Sequence, residues 1–279
     1  MRRRRPPRRA RRARRRGDGA VPARCRLERP HLEWLPDELT RGRRIVRVDL
    51  RGHGRSDHAP GTYVLACYGA DVAAVLRSVA SRPAVVVGNS LGGVVAWWLA
   101  QNQPDLVTAA LLEDPPLFAG ETPETEAGRF RDVFHAVKAV ILEGRERGLS
   151  EEELARHIAT IRWGPPGTPT LGELLTDDGL ATMAFGYHRL DPGVIESALD
   201  GTTLAAAETR TPVTQPVLVV AADDATGAAF STGDEERLAR SQPTVEVVRV
   251  AGSGHRIHDM RAHRETFAGH LRRSLDTHA

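Results

Sequence analysis

Apolar residues in this chain fall into two alternating patterns, and the alternation begins near Trp34. Arg44–Leu50 (RIVRVDL) predicts a short strand that ends in the turn RGHGRSD. TYVLACYGADVAAVLRSV follows, with apolar residues at helical spacing. Pro83–Gly88 (PAVVVG) is a continuous β-branched run, the pattern of a parallel strand covered on both faces. LGGVVAWWLAQNQ predicts a helix, and VTAALLED another buried strand, closed by Pro115-Pro116. The pattern resumes with PVLVVAADD (Pro216–Asp224) and VEVVRVAGSGH (Val245–His255), and RETFAGHLRRSL predicts a last helix. Strands alternating with helices predict an α/β fold built on a doubly wound, mostly parallel sheet.

Between Leu117 and Leu204 the strand signal disappears. Phe130, Val133, Phe134, Val137 and Ile141 share one helical stripe. Ser150 with Glu153 predicts a capping box, and Asp191-Pro192 an N-cap with the first helical residue, Gly201 closing that helix. The chain therefore divides into a tail (1–32), a first core segment (33–116), an all-helical insertion (117–205) and a second core segment (206–279).

Charge changes this picture only at one end. Eleven arginines and no acid fall within residues 2–16, and without them the net charge of +3 becomes about −8. The tail is low-complexity and has no apolar segment of the kind a secretory signal needs. The acidic body argues against nucleic-acid binding except through that tail. Lys138 is the only lysine, a bias that fits a GC-rich gene. We read the arginine run as the product of a wrong start or reading frame, which the upstream DNA in three frames would check. No run of eighteen apolar residues predicts a membrane span. Cys25 and Cys67 are too few for a disulfide framework. The expectation is a cytoplasmic protein.

The candidate chemistry centres on Gly88-Asn89-Ser90-Leu91-Gly92. A nucleophilic serine must stand clear of the backbone beside an oxyanion-stabilising N–H, and a sharp strand-to-helix turn provides both. Such a turn requires small residues two before and two after the serine. The Leu91 N–H would open the following helix, where the dipole favours a developing oxyanion. His255, in the Gly-rich loop after the last strand, is the candidate base. The orienting acid is open among Asp223, Asp224 and Asp114. Asp223 and Asp224 are preferred, since they end the strand before the histidine, and Asp114 reads better as a turn residue before Pro115. His255-x-x-His258 has metal-ligand character but no accompanying ligand cluster, so no metal and no cofactor are expected. The expected partner is a small-molecule substrate.

At these residues the chain resembles α/β-hydrolase-fold proteins with a helical lid. The matching stretches are VDLRGHGRSD, VVVGNSLGGVVAWWLA, LLEDPPLF, PVLVVAADD and GSGHRIHD, and the resemblance spans about Trp34 to Leu275. It implies Ser90 as nucleophile, His255 as base and the Leu91 N–H as half of an oxyanion hole. For the acid, the family's G-x-x-D spacing counted from Ala221 gives Asp224, whereas members with Asp-Pro match Asp223. It implies esters as default substrates. Ser90 argues against epoxide hydrolases and haloalkane dehalogenases, which resemble the family with Asp at this turn.

One family feature has no counterpart. A strand ending in His-Gly, which supplies the second oxyanion donor, is replaced by GDGAVPARCRLERPHLEW, and two earlier edge strands are replaced by the arginine tail. The fold is therefore expected to be N-terminally incomplete. Each backbone group left unpaired beside a missing central strand costs roughly 1–3 kcal/mol if buried. A non-catalytic protein of the same fold is the alternative this gap raises.

Overall fold

A computed structural model describes residues 34–80, 82–119, 124–162 and 167–279, with 124–130 described by backbone only. The continuous apolar runs form parallel strands, because a strand buried on both faces needs no polar alternation. They are β1 (Ala84–Asn89), β2 (Val107–Glu113), β3 (Val217–Ala221) and β4 (Glu246–Arg249), hydrogen-bonded in that order in a parallel sheet. Asn89 pairs with Glu113, Glu113 with Val220, and Ala221 with Arg249, so the carboxyl ends of the strands finish nearly level.

Before the sheet come α1 (Asp37–Thr40) and α2 (Leu65–Val79), and α3 (Leu91–Asn102) joins β1 to β2. Helix α3 buries Val94, Val95, Trp97 and Leu99 against the sheet and α2. Between β2 and β3 run α4 (Glu124–Glu146), α5 (Glu151–Thr160), α6 (Leu171–Leu174), α7 (Asp177–Arg189) and α8 (Pro192–Leu199). Helix α9 (Thr232–Ser241) links β3 to β4, and α10 (Arg264–His278) ends the chain. This is an α/β-hydrolase fold.

Local signals explain the helical segment. Ser150 and Glu153 form the reciprocal capping box, and Thr170 and Glu173 form a second that begins α6. Asp191 accepts the Gly193 N–H at 2.9 Å and caps α8, while Gly201 takes φ +79° just beyond it. On the α4 stripe, Val137 and Ile141 are buried and Phe134 packs against the core, but Val133 is exposed. The Phe130 side chain lies outside the described residues.

Two strand expectations need correction. Arg44–Leu50 is not a strand, since no hydrogen-bonded neighbour lies beside it among the described residues. It is held by Val48 and Leu50 against the core and by Arg44 Nη1 donating to the Val79 carbonyl at 2.6 Å. Strand β1 is likewise not covered throughout, and Val87 is 43% exposed. The turn after Leu50 is anchored instead by a buried bidentate pair, Arg51 to Asp71, with both contacts at 2.7 Å. The segment carrying Cys25 and the expected His-Gly position lies outside the described residues.

Candidate active site

Every candidate residue sits at the carboxyl edge of the sheet, where open α/β sheets bind ligands. Ser90 occupies the one-residue step between β1 and α3, with φ 53° and ψ −121°. A non-glycine residue in that region is strained, and here the strain lifts the side chain off the backbone. The turn is held by the Ser90 N–H, which donates to the Glu113 carbonyl at 2.9 Å.

Gly88 makes the turn possible. A Cβ there would lie 2.2 Å from both the backbone carbon and the oxygen of Gly92. The expectation of equal constraint on both flanks is corrected at Gly92, where an added Cβ meets nothing within 4 Å. Leu91 is the first residue of α3, so its N–H has no intrahelical acceptor and lies beside the serine.

His255 lies in the loop after β4, with its ring Nδ1 2.7 Å from Asp114 Oδ2. The structure thus joins the histidine to Asp114, not to Asp223 or Asp224. Asp114 directly follows β2, in the left-handed region (φ 43°), and is fully buried. Its carboxylate also accepts the backbone N–H groups of Ala222, Ala229 and Phe230 at 3.2, 2.8 and 3.1 Å. These four contacts satisfy both buried oxygens of the carboxylate and fix its orientation.

The other two aspartates are committed elsewhere. Asp223 accepts the Ala225 and Gly252 N–H groups at 2.9 and 2.7 Å, and these bonds hold its carboxyl below the ordinary range. Asp224 accepts from Thr232 N–H at 3.0 Å and from Arg249 at 3.1 Å. Both brace the loops around the histidine. The histidine thus meets Asp114, the residue expected to be a turn residue before Pro115, rather than either of the two preferred aspartates.

Two residues that the sequence did not single out hold the histidine loop down. Asn89 Nδ2 donates to the His255 carbonyl at 2.9 Å. Glu113, buried beside Asp114, accepts the His258 N–H at 2.8 Å and faces His258 Nδ1 at 2.6 Å. The loop is therefore stapled to the two strand ends that carry Ser90 and Asp114. A signal was present in both cases: polar side chains, Asn89 and Glu113, end runs that are otherwise apolar.

His258 also stacks on Trp34 at 5.8 Å, and its Nε2 is 3.4 Å from Asp259. Among the described residues no group of three or more His, Cys, Asp or Glu side chains is arranged to hold a metal ion. His53, another histidine beside the cavity, sits 3.0 Å from the Arg51 carbonyl, and burial pushes its pKa below the ordinary value. Among the described residues it has no carboxylate hydrogen bond, so it is placed worse than His255 to act as a base.

Ser90, Leu91 and His255 border one cavity, whose other wall includes Phe134, Tyr187 and Val194 from the helical segment. Serine, imidazole and carboxylate in this order can carry out nucleophilic acyl transfer. Among the described residues no helix is long and apolar enough to cross a membrane.

Comparison with known proteins agrees with the architecture. The profile of the alpha/beta hydrolase family matches residues 21–269, opening before the Trp34 boundary expected from the sequence. A mouse protein named sn-1-specific diacylglycerol lipase ABHD11 is 29% identical over 222 residues, covering 78% of this chain and 67% of its own. The 2-(acetamidomethylene)succinate hydrolase of Mesorhizobium japonicum is 27% identical over 237 residues, covering 83% and 77%. The crystal structure of a hydrolase from Pseudomonas aeruginosa PA01 superposes with a TM-score of 0.59 at 25% identity, covering 86% of this chain and 82% of that one. Such relatives support a general hydrolase activity here. With a family match across most of its length and the matching fold beneath it, the chain belongs to the alpha/beta hydrolase family.

Proposed function

We propose that the protein is a serine hydrolase acting on small esters or related acyl compounds, with Ser90 as nucleophile, His255 as general base and acid, and Asp114 as the orienting carboxylate. The observation that carries this reading is the 2.7 Å contact between His255 Nδ1 and Asp114, at the same sheet edge as the strained Ser90 turn. Names of relatives such as a lipase and an enol-lactonase agree with acyl chemistry.

Acyl transfer through these three residues runs in two halves. With Asp114 ionised, His255 Nδ1 carries its proton toward Oδ2, which leaves Nε2 free to accept one. Ser90 Oγ adds to the substrate carbonyl carbon while its proton passes to Nε2. The Leu91 N–H, at the positive end of α3, faces the oxygen that becomes negative. Collapse breaks the bond to the leaving group, which takes the Nε2 proton. Water then repeats the sequence on the acyl-serine and releases the acid. The helical segment 117–205, which forms the far wall of the cavity, acts as the lid that limits substrate size and water access.

Labelling with a fluorophosphonate probe tests the reading. The full chain should label, and Ser90→Ala should not. A soluble, folded chain that fails to label would overturn it in favour of a non-catalytic protein of the same fold.

A further inference from the structure

The cavity wall next to the histidine carries a positive group that the acyl-transfer steps leave unused. Arg256 follows His255 directly, and both border the cavity. Its Nε donates to Asp259 Oδ2 at 2.7 Å, and Nη2 reaches the same oxygen. Nη1 has no hydrogen-bond partner among the described residues, and the side chain keeps 26% of its surface exposed. Asp259 does not depend on Arg256 alone, since His258 Nε2 and Arg264 Nη2 lie 3.4 and 3.8 Å from its other oxygen.

Tyr187 comes from the opposite side. It lies on α7, whose Gly179 packs against Asp259 and whose Met183 belongs to the same cluster as Met260, so this helix rests on the histidine loop. Tyr187 borders the cavity, and its hydroxyl has no hydrogen-bond partner among the described residues. Burial pushes its pKa up while the nearby Arg256 pulls it back, so the two groups sense each other. Of the other arginines of the cavity wall, Arg43 is engaged with Asp276, Arg44 with the Val79 carbonyl and Arg162 with the Thr168 carbonyl, whereas Arg82 and Arg131 also border it but do not adjoin His255 in the chain.

A guanidinium N–H and a phenol O–H left open on a mainly apolar wall are available to a ligand that brings an acceptor. A carboxylate is the acceptor that suits a guanidinium best, because the bond is charge-assisted and planar. Next to His255, it would be one end of a short chain whose carbonyl reaches Ser90. We propose that Arg256 and the Tyr187 hydroxyl form a carboxylate subsite, and that the substrates are acyl compounds bearing a free carboxylate. This rests on the serine-hydrolase reading and narrows its substrate class.

The test compares mono(4-nitrophenyl) glutarate with 4-nitrophenyl pentanoate, which has the same chain length without the charge. The wild type should favour the glutarate ester in kcat/KM. The ratio of the two values should fall roughly ten- to a hundred-fold in Arg256→Met and by a smaller factor in Tyr187→Phe. Tyr187→Phe removes one oxygen and keeps the packing, so it serves if Arg256→Met fails to fold. A wild type that prefers the neutral ester, or a ratio unchanged in a folded variant, overturns the subsite. Calorimetric titration of Ser90→Ala with monomethyl glutarate separates the subsite from catalysis. Binding that disappears in Ser90→Ala/Arg256→Met supports it even if neither ester is turned over, and no binding to Ser90→Ala overturns it.

Discussion

Asp114→Asn is the most informative substitution, because the two carboxylate oxygens have different work. Oδ1 accepts from Ala222 N–H at 3.2 Å and Phe230 N–H at 3.1 Å. Oδ2 accepts from Ala229 N–H at 2.8 Å and meets His255 Nδ1 at 2.7 Å. An asparagine keeps two of the backbone bonds only if its oxygen takes the Oδ1 position. Its NH2 then faces two donors where Oδ2 had been. The Ala229 N–H loses its acceptor, at a cost of about 1–3 kcal/mol. The histidine can relieve the second clash by moving its proton to Nε2 and accepting at Nδ1. That tautomer cannot take the Ser90 proton, and in a Ser-His-Asp enzyme this error costs on the order of 10⁴-fold in turnover. The assay is kcat on 4-nitrophenyl acetate, corrected for the folded fraction from urea denaturation. Asp223→Asn and Asp224→Asn are the controls, and each should keep turnover within about tenfold of wild type, since each supports a loop rather than the ring. Near-wild-type turnover in folded Asp114→Asn, with loss in either control, would refute the assignment.

The two glycines of the serine turn should behave differently. Gly88→Ala puts a Cβ 2.2 Å from the Gly92 backbone and should abolish soluble expression or serine labelling, whereas Gly92→Ala meets open space and should fold with a melting temperature close to wild type. Glu113→Gln removes one of two oxygens holding His258, and urea denaturation should show a loss of about 1–3 kcal/mol, with kcat falling more than KM changes as the His255 loop loosens. Asn89→Ala releases the His255 carbonyl and should lower kcat in the same way. Alkali should destabilise the fold through Tyr63, whose pKa burial and its bond to Asp191 raise from 10.0 to about 12. A raised folded-state value means that this contribution is complete below about pH 10 and is lost as pH rises toward 12, so Tyr63→Phe should flatten the alkaline limb of a stability profile.

What the sequence revealed and what it hid differ in range of interaction. The serine turn was legible because its demands are steric and local: a continuous apolar strand, a glycine that clears the next turn, and a helix start, all within a dozen residues. The base was legible because one histidine follows the last strand in a glycine-rich loop. The acid was not, and the sheet shows why. Strands β2 and β3 are neighbours in register, Glu113 beside Val220, so Asp114 and Asp223 leave adjacent strand ends toward the same histidine. Local pattern cannot separate them. The path of residues 222–230 decides, by turning three N–H groups back onto Asp114 and so fixing its carboxylate beside the ring. Asp223 spends its oxygens on Gly252 and Ala225 instead. The same reasoning covers Arg44–Leu50: apolar spacing describes one strand, but a strand exists only as half of a pair. A triad acid needs donors enough to hold its carboxylate and a position within reach of the ring; both aspartates have donors, and only the second requirement, met by Asp114 at 2.7 Å, distinguishes them.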